Sequence, residues 1–188
     1  MKLLLHDNFD SFSSILADYF IRLGAELVVV NNREPLPFLN QYDGLILSPG
    51  PDRPADAGNL LGVVRAAADA KIPTFGVCLG HQAMGEFLGA QLVNAKEPMH
   101  GRSSVITHSQ SGIFADIPAE ISVMRYHSLV LKELPSTLTL QAQTHQGEIM
   151  AMKSEVLPWW GVQFHPESIL TQHGLKMVEN WMVQTSKN

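Results

Sequence analysis

The first half of the chain alternates between two hydrophobic periods. Leu3 to Leu5 form a short apolar run, and Phe12, Ile15, Leu16, Tyr19, Phe20 and Leu23 then recur at the spacing of one helix face. Asp10 or Ser11 stands where that helix would be capped, and Gly24 where it would end. ELVVV (26–30) and GLILS (44–48) predict the second and third strands, with Pro35-Leu36-Pro37 shortening the stretch between them. A Pro/Gly-dense loop, SPGPDRPADAG (48–58), leads into an Ala/Leu/Val helix to about Ala70. IPTFGV (72–77) predicts the next strand and LGHQAMGEFLGA (79–90) the next helix. Uninterrupted apolar strands alternating with helices predict parallel strands covered on both faces.

After Gly89 the pattern changes. QLVNAK, SSVITH, ISVMRY, LTLQAQT and EIMAMK are short strand candidates separated by turn residues. WWGVQF (159–164) reads as a return to the central sheet, and a last helix is expected from Ser168 to Val183, burying Leu170, Leu175, Val178, Trp181 and Met182. The fold expected is α/β: an open, mostly parallel central sheet with helices on both faces and a small mixed or antiparallel extension. No repeat, low-complexity segment or linker is visible, so residues 1–188 are read as one domain.

Composition narrows the functions this fold could carry. Hydrophobic residues make up 45% and charged residues 16% of the 188, the profile of a globular protein. The formal net charge is −5 with no basic stripe, which argues against nucleic acid as the main ligand. The apolar run at the N-terminus is three leucines long, too short for a signal segment or a membrane span. One cysteine allows no internal disulfide, so a reducing, cytoplasmic setting is expected. No Cys/His cluster predicts a metal site, and no Gly-rich phosphate loop follows a strand, so no metal or cofactor is expected.

The single cysteine sits in Gly76-Val77-Cys78-Leu79-Gly80, where a strand ends and a helix begins. This is the thiol form of a nucleophile elbow: a sharp turn exposes the reactive atom, and flanking glycines let neighbouring backbone pass close. Sulfur at a helix N-terminus also feels a field that favours thiolate over thiol. The Leu79 N–H is then free to donate to a developing oxyanion. A small buried hydrophobe would read the same way, and GVQFHPES (161–168) tips the balance. A nucleophilic thiol needs a base, and the base needs an acceptor to fix its tautomer. His165 and Glu167, two residues apart around Pro166, can point the same way and supply both. In SPGP (48–51), a glycine between two prolines offers the Gly50 N–H as a second oxyanion donor, although an ordinary tight turn would look alike.

Taken in order, LLHDNFDSF (4–12), SPGP, GVCLGHQ (76–82), MHG (99–101), RYHSL (125–129) and GVQFHPES resemble the class I, triad-type glutamine amidotransferases over nearly the whole chain. That resemblance implies a flavodoxin-like sheet and a Cys78-His165-Glu167 triad. Cys78 would attack the side-chain amide of L-glutamine, with His165 as general base and Glu167 orienting it. Gly50 and Leu79 would hold the oxyanion, and Gln82 with the backbone around Ser128 and Leu129 would hold the α-amino and α-carboxylate groups. Within the family the motifs look most like the glutaminase subunits of chorismate-using synthases, which make anthranilate or 4-amino-4-deoxychorismate. MHG leans toward the second, the para-aminobenzoate branch. The resemblance also implies a larger chorismate-binding partner subunit that receives the ammonia, with Met99, His100 and Gly101 near the interface.

Three positions depart from the family pattern: His6 where an aliphatic residue is usual, Phe9 for Tyr, and Arg102 for Lys. His6 reads as a satisfied buried histidine. Rival readings are the amidotransferase subunit of GMP synthase, a stand-alone γ-glutamyl Cys-His-Glu hydrolase, and a non-catalytic flavodoxin-like binding module.

Overall fold

The structure, a computed structural model, describes residues 1–186. Lys2–Asp7 (β1), Glu26–Asn31 (β2), Gly44–Leu47 (β3), Thr74–Val77 (β4) and Trp159–Val162 (β9) pair in parallel in the order β2-β1-β3-β4-β9. The antiparallel part continues from β9 through Ile149–Ser154 (β8), Leu138–Thr144 (β7), Gln91–His108 (β5) and Glu120–Lys132 (β6). The α/β class is as expected. The extension, however, supplies four of the nine strands among the described residues, including the 18-residue β5 and the 13-residue β6.

Helices cover both faces of the parallel strands. Ser13–Arg22 (α1) and Gly174–Thr185 (α4) lie on one face, where Leu16, Phe20, Met177, Val178 and Trp181 pack with Leu3, Leu5, Ile46 and Phe75. Leu60–Ala70 (α2) and Leu79–Phe87 (α3) lie on the other, where Val63, Val64, Ala67, Ala83 and Met84 pack with Leu4, Leu45 and Leu47. Strand order reverses at β1, with β2 on one side and β3 on the other, and the carboxyl ends around such a switch point form a natural crevice.

Several local expectations change. No side chain caps α1. Instead Asp7 Oδ1 accepts from the N–H groups of Phe9 and Asp10 and from the Ser13 hydroxyl, tying the turn to the end of β1. QLVNAK, MHG and SSVITH are one strand, β5, because bulges absorb the irregular residues: its register against β6 shifts between Asn94 and Met99 and again between His100 and Arg102. ISVMRY runs on through HSLVLK as β6. The last helix starts at Gly174 rather than Ser168, so Ile169 and Leu170 are exposed, and Met177 rather than Leu170 fills the core. Thr171 holds that segment in a turn, donating to His165 O at 2.6 Å while its Oγ1 accepts from Met124 N. His6 is buried as expected but not satisfied: among the described residues neither ring nitrogen has a partner, and burial outweighs the pull of Asp7 and pushes its pKa down to about 4.

Candidate active site

Cys78 directly follows β4 and immediately precedes α3 with φ 50° and ψ −100°, a strained conformation for a residue with a side chain. Packing holds it there. Its N–H donates to Val162 O at 2.8 Å and its carbonyl accepts from Gln82 N at 3.0 Å. The glycines on either side are required by contact. A Cβ on Gly76 would come within 2.7 Å of the Gly80 backbone, and one on Gly80 within 2.5 Å of Leu47 O. The helix therefore rests on β3 and β4 with no side chain between them. The Leu79 N–H, in the first turn, has no intrahelical acceptor.

His165 and Glu167 meet as expected: His165 Nδ1 lies 2.7 Å from Glu167 Oε1, with both side chains buried. His165 Nε2 makes no well-aligned hydrogen bond. Burial opposes charge on this ring, but the Cys78 sulfur and the Glu167 carboxylate outweigh it and push its pKa up to about 10. The turn that carries the pair is fastened to β6, since His165 N donates to Met124 O and Gln172 N to Ser122 O. The Tyr126 and Phe12 rings both stand edge-on to the imidazole, at 5.3 and 5.2 Å.

A cleft of about 150 Å³ opens beside the sulfur, lined among others by Gly50, Cys78, Gln82, Tyr126, Ser128 and Leu129. Of the two expected oxyanion donors, Gly50 lines it, and Leu79 directly follows Cys78 and packs close to Gly50. Gly50 follows β3, and a Cβ there would come within 2.6 Å of Leu79 Cδ2 and 2.9 Å of Asn8 O. Asn8 clamps this loop, its N–H donating to Ser48 Oγ and its Nδ2 to Ser48 O, while Asn32 Nδ2 donates to Asn8 Oδ1. Gln82 reaches across from α3 and donates to Leu129 O at 3.1 Å.

Met99, His100 and Gly101 do not reach the cleft. They lie on β5, one strand behind the site, with His100 and Gly101 exposed. A ring stack connects them to it: His100 is edge-on to Tyr126 at 5.8 Å, and Tyr126 is edge-on to His165. Gly101, at φ 66°, forms the bulge over Tyr126, whose Cε1 would be 3.3 Å from an added Cβ.

Sequence reasoning missed the buried groups behind the cleft. Gln163 Nε2 lies 3.6 Å from Cys78 Sγ, and Gln163 Oε1 accepts from Gln82 at 3.1 Å. Arg125 pairs with Glu148 at 2.6 Å, donates to Ser104 Oγ, and donates through Nε to His127 Nε2. Burial, followed by the neighbouring Arg125 charge, pushes the His127 pKa down to about 3. The one signal for Gln163 was a polar side chain inside an apolar strand run, WWGVQF. Among the described residues, no group of three or more His, Cys, Asp or Glu stands close enough to hold a metal ion, and no helix is long and apolar enough to cross a membrane.

The description "Glutamine amidotransferase class-I" belongs to a family profile that matches residues 4–185. The aminodeoxychorismate/anthranilate synthase component 2 of Bacillus subtilis (strain 168) is 44% identical, covering 96% of this chain and 95% of that protein. The aminodeoxychorismate synthase of Streptomyces griseus is 43% identical over 195 residues, and this chain spans 27% of its length. The solved structure of a putative GMP synthase component from Thermoplasma acidophilum superposes with a TM-score of 0.91 at 28% identity, covering 100% of this chain and 94% of that one.

Proposed function

This chain belongs to the class I glutamine amidotransferase family, and from that premise we propose that it is the glutaminase subunit of a chorismate-using synthase, releasing ammonia from L-glutamine for a larger partner. The observation that carries the reading is the strained Cys78 at the start of α3 facing a buried His165–Glu167 pair.

The chemistry follows from that placement. Cys78 Sγ attacks the side-chain amide carbon of glutamine, and the carbonyl oxygen becomes an oxyanion between the Gly50 and Leu79 N–H groups. His165, whose pKa the free sulfur and Glu167 raise, takes the thiol proton of Cys78 as the attack begins and hands it to the departing ammonia. The neutral imidazole then takes a proton from the water that attacks the γ-glutamyl thioester. Glu167 keeps Nδ1 protonated and the ring oriented throughout. Gln82 and the strand at Ser128 and Leu129 hold the α-amino and α-carboxylate ends of the substrate.

Ammonia released at neutral pH is mostly protonated and lost to solvent, so the reaction is useful only when an acceptor is docked over the site. The 150 Å³ cleft suits an amino acid, and a chorismate site is assigned to the partner. Met99, His100 and Gly101 are assigned the coupling role, with the Tyr126 ring carrying a displacement of β5 to His165. A relative named for anthranilate alone matches at 43% and one named for both products at 44%, so either product fits. The GMP synthase rival rests on a structural likeness at 28% identity, the weaker sequence match. A catalytic thiol without a second cysteine suits a reducing compartment, and the cytoplasm is proposed.

The test is labelling with 6-diazo-5-oxo-norleucine followed by mass spectrometry on wild type and Cys78→Ser, with and without a chorismate-using synthase subunit. One adduct on Cys78 that excess glutamine blocks is the expected result. Absence of an adduct under both conditions overturns the reading.

A further inference from the structure

Gln163 has no part in the mechanism above, yet its side chain is fully buried and bridges the nucleophile and Gln82. An amide can turn either its oxygen or its NH2 toward a neighbour, and here a backbone atom decides the orientation. Leu129 O can only accept. It takes one hydrogen bond from His127 Nδ1 at 2.9 Å and another from Gln82 Nε2 at 3.1 Å. Gln82 therefore turns its NH2 inward, and its second N–H meets Gln163, which must offer oxygen. The Gln163 NH2 is left facing Cys78 Sγ at 3.6 Å. The same constraint runs the other way: with the proton on Nδ1, His127 Nε2 accepts from Arg125, whose fork ends on Glu148. One carbonyl thus sets the direction of the whole chain of bonds, and the chain ends in an N–H aimed at the reacting sulfur.

We propose that Gln163 is a further catalytic residue of this reaction. Its N–H stabilises the anionic sulfur of Cys78, and its amide oxygen turns Gln82 so that Gln82 Oε1 faces the cleft as an acceptor for the α-ammonium group of the substrate. A hydrogen bond to an ionised group outweighs one between neutral partners, so its loss is expected to slow the sulfur about tenfold. The role at Gln82 rests on the glutaminase reading, whereas the role at sulfur does not.

The experiment compares wild type, Gln163→Glu and Gln163→Met by the pH dependence of iodoacetamide alkylation, by KM and kcat for glutamine, and by Tm. Cys78 is the only cysteine, so every thiol adduct reports on it. Gln163→Glu keeps an acceptor for Gln82 but loses the donor and brings a like charge to the sulfur. It is expected to slow alkylation at neutral pH about tenfold or more, to move the profile to higher pH, and to leave KM near wild type. Gln163→Met keeps the volume and loses both bonds, so KM also rises. A structural role alone would lower Tm without moving the alkylation profile or KM, and that result overturns the proposal. If Gln163→Glu does not fold, wild-type alkylation and KM in Gln163→Met overturn it equally. Alkylation that responds to Gln163 in a protein that 6-diazo-5-oxo-norleucine never labels would sink the glutaminase reading and leave the role at sulfur standing.

Discussion

At the scale of residues, the His165–Glu167 pair is held so closely that its protonation can be read kinetically. Glu167 contributes both a hydrogen bond and a charge to the high pKa of His165. In Glu167→Gln the charge is gone and an amide oxygen can still accept from Nδ1, so the ring stays roughly placed but loses its proton more easily. The acid that protonates ammonia then disappears at lower pH. The alkaline limb of the kcat profile should move down, and kcat at neutral pH should fall on the order of 10²- to 10⁴-fold. An unmoved alkaline limb would mean that another group supplies the proton. The pair was legible in the sequence because two-residue spacing is a local property. Gln82 and Gln163 are 81 positions apart, and Arg125 and Glu148 are 23, so their meeting depends on sheet order, which no local pattern carries.

Among the elements, β5 departs furthest from its sequence pattern. Pro98 and Gly101 read as turn residues, yet both lie within one strand. Before Ile106, β5 pairs with β6 on one side and makes no ladder with β7 on the other, so a residue without an N–H is tolerated there. The bulge at Gly101 is what lets β5 cross the Tyr126 ring. Gly101→Val puts a branched side chain at φ 66° and against Tyr126 Cε1, so the bulge must shift. Partner-stimulated glutaminase activity should fall several-fold or more, while labelling of Cys78 in the isolated chain changes less. Equal losses in both assays would remove the coupling role from this strand. The late start of α4 has a similar cause. The apolar Ile169 and Leu170 continue a helical pattern, but the Thr171 hydroxyl bonds hold residues before Gly174 in the turn that carries the base.

For the whole molecule, the histidines set the pH range of stability. His6, His81 and His127 are buried, and burial pushes their pKa values down to about 4, 3 and 3, with the Arg125 charge adding to the effect at His127. The unfolded chain protonates each near 6.5 while the folded chain does not. Each therefore contributes stability that is present above pH 6.5 and lost as the pH falls toward 4, at about 1.4 kcal/mol per pH unit. His165 has the opposite sign: its contribution is present below 6.5 and lost as the pH rises toward 10. The urea midpoint should fall steeply between pH 6.5 and 4.5, and His6→Leu should flatten that acid limb. Parallel limbs in the two proteins would show that His6 is charged in the fold. At this scale the alternation of strands and helices was enough to predict the fold class, because parallel strands and their helices are patterned locally. The extent of the antiparallel part was not, because its bulges break a two-residue period into fragments that look like separate short strands.

The glycine contacts at the elbow have a mechanical consequence. With α3 seated directly on the backbone of β3 and β4, the wall that bears the sulfur cannot loosen unless the parallel sheet loosens with it. The opposite wall, β6 with the exposed and bulged β5 behind it, meets α3 through side chains such as Gln82 and Leu131, and any shift of it carries along the His165 turn bonded to its backbone. The site is a vice with one fixed jaw and one sliding jaw. A docked protein that governs turnover has a single jaw to push, the one bearing Tyr126 and Ser128.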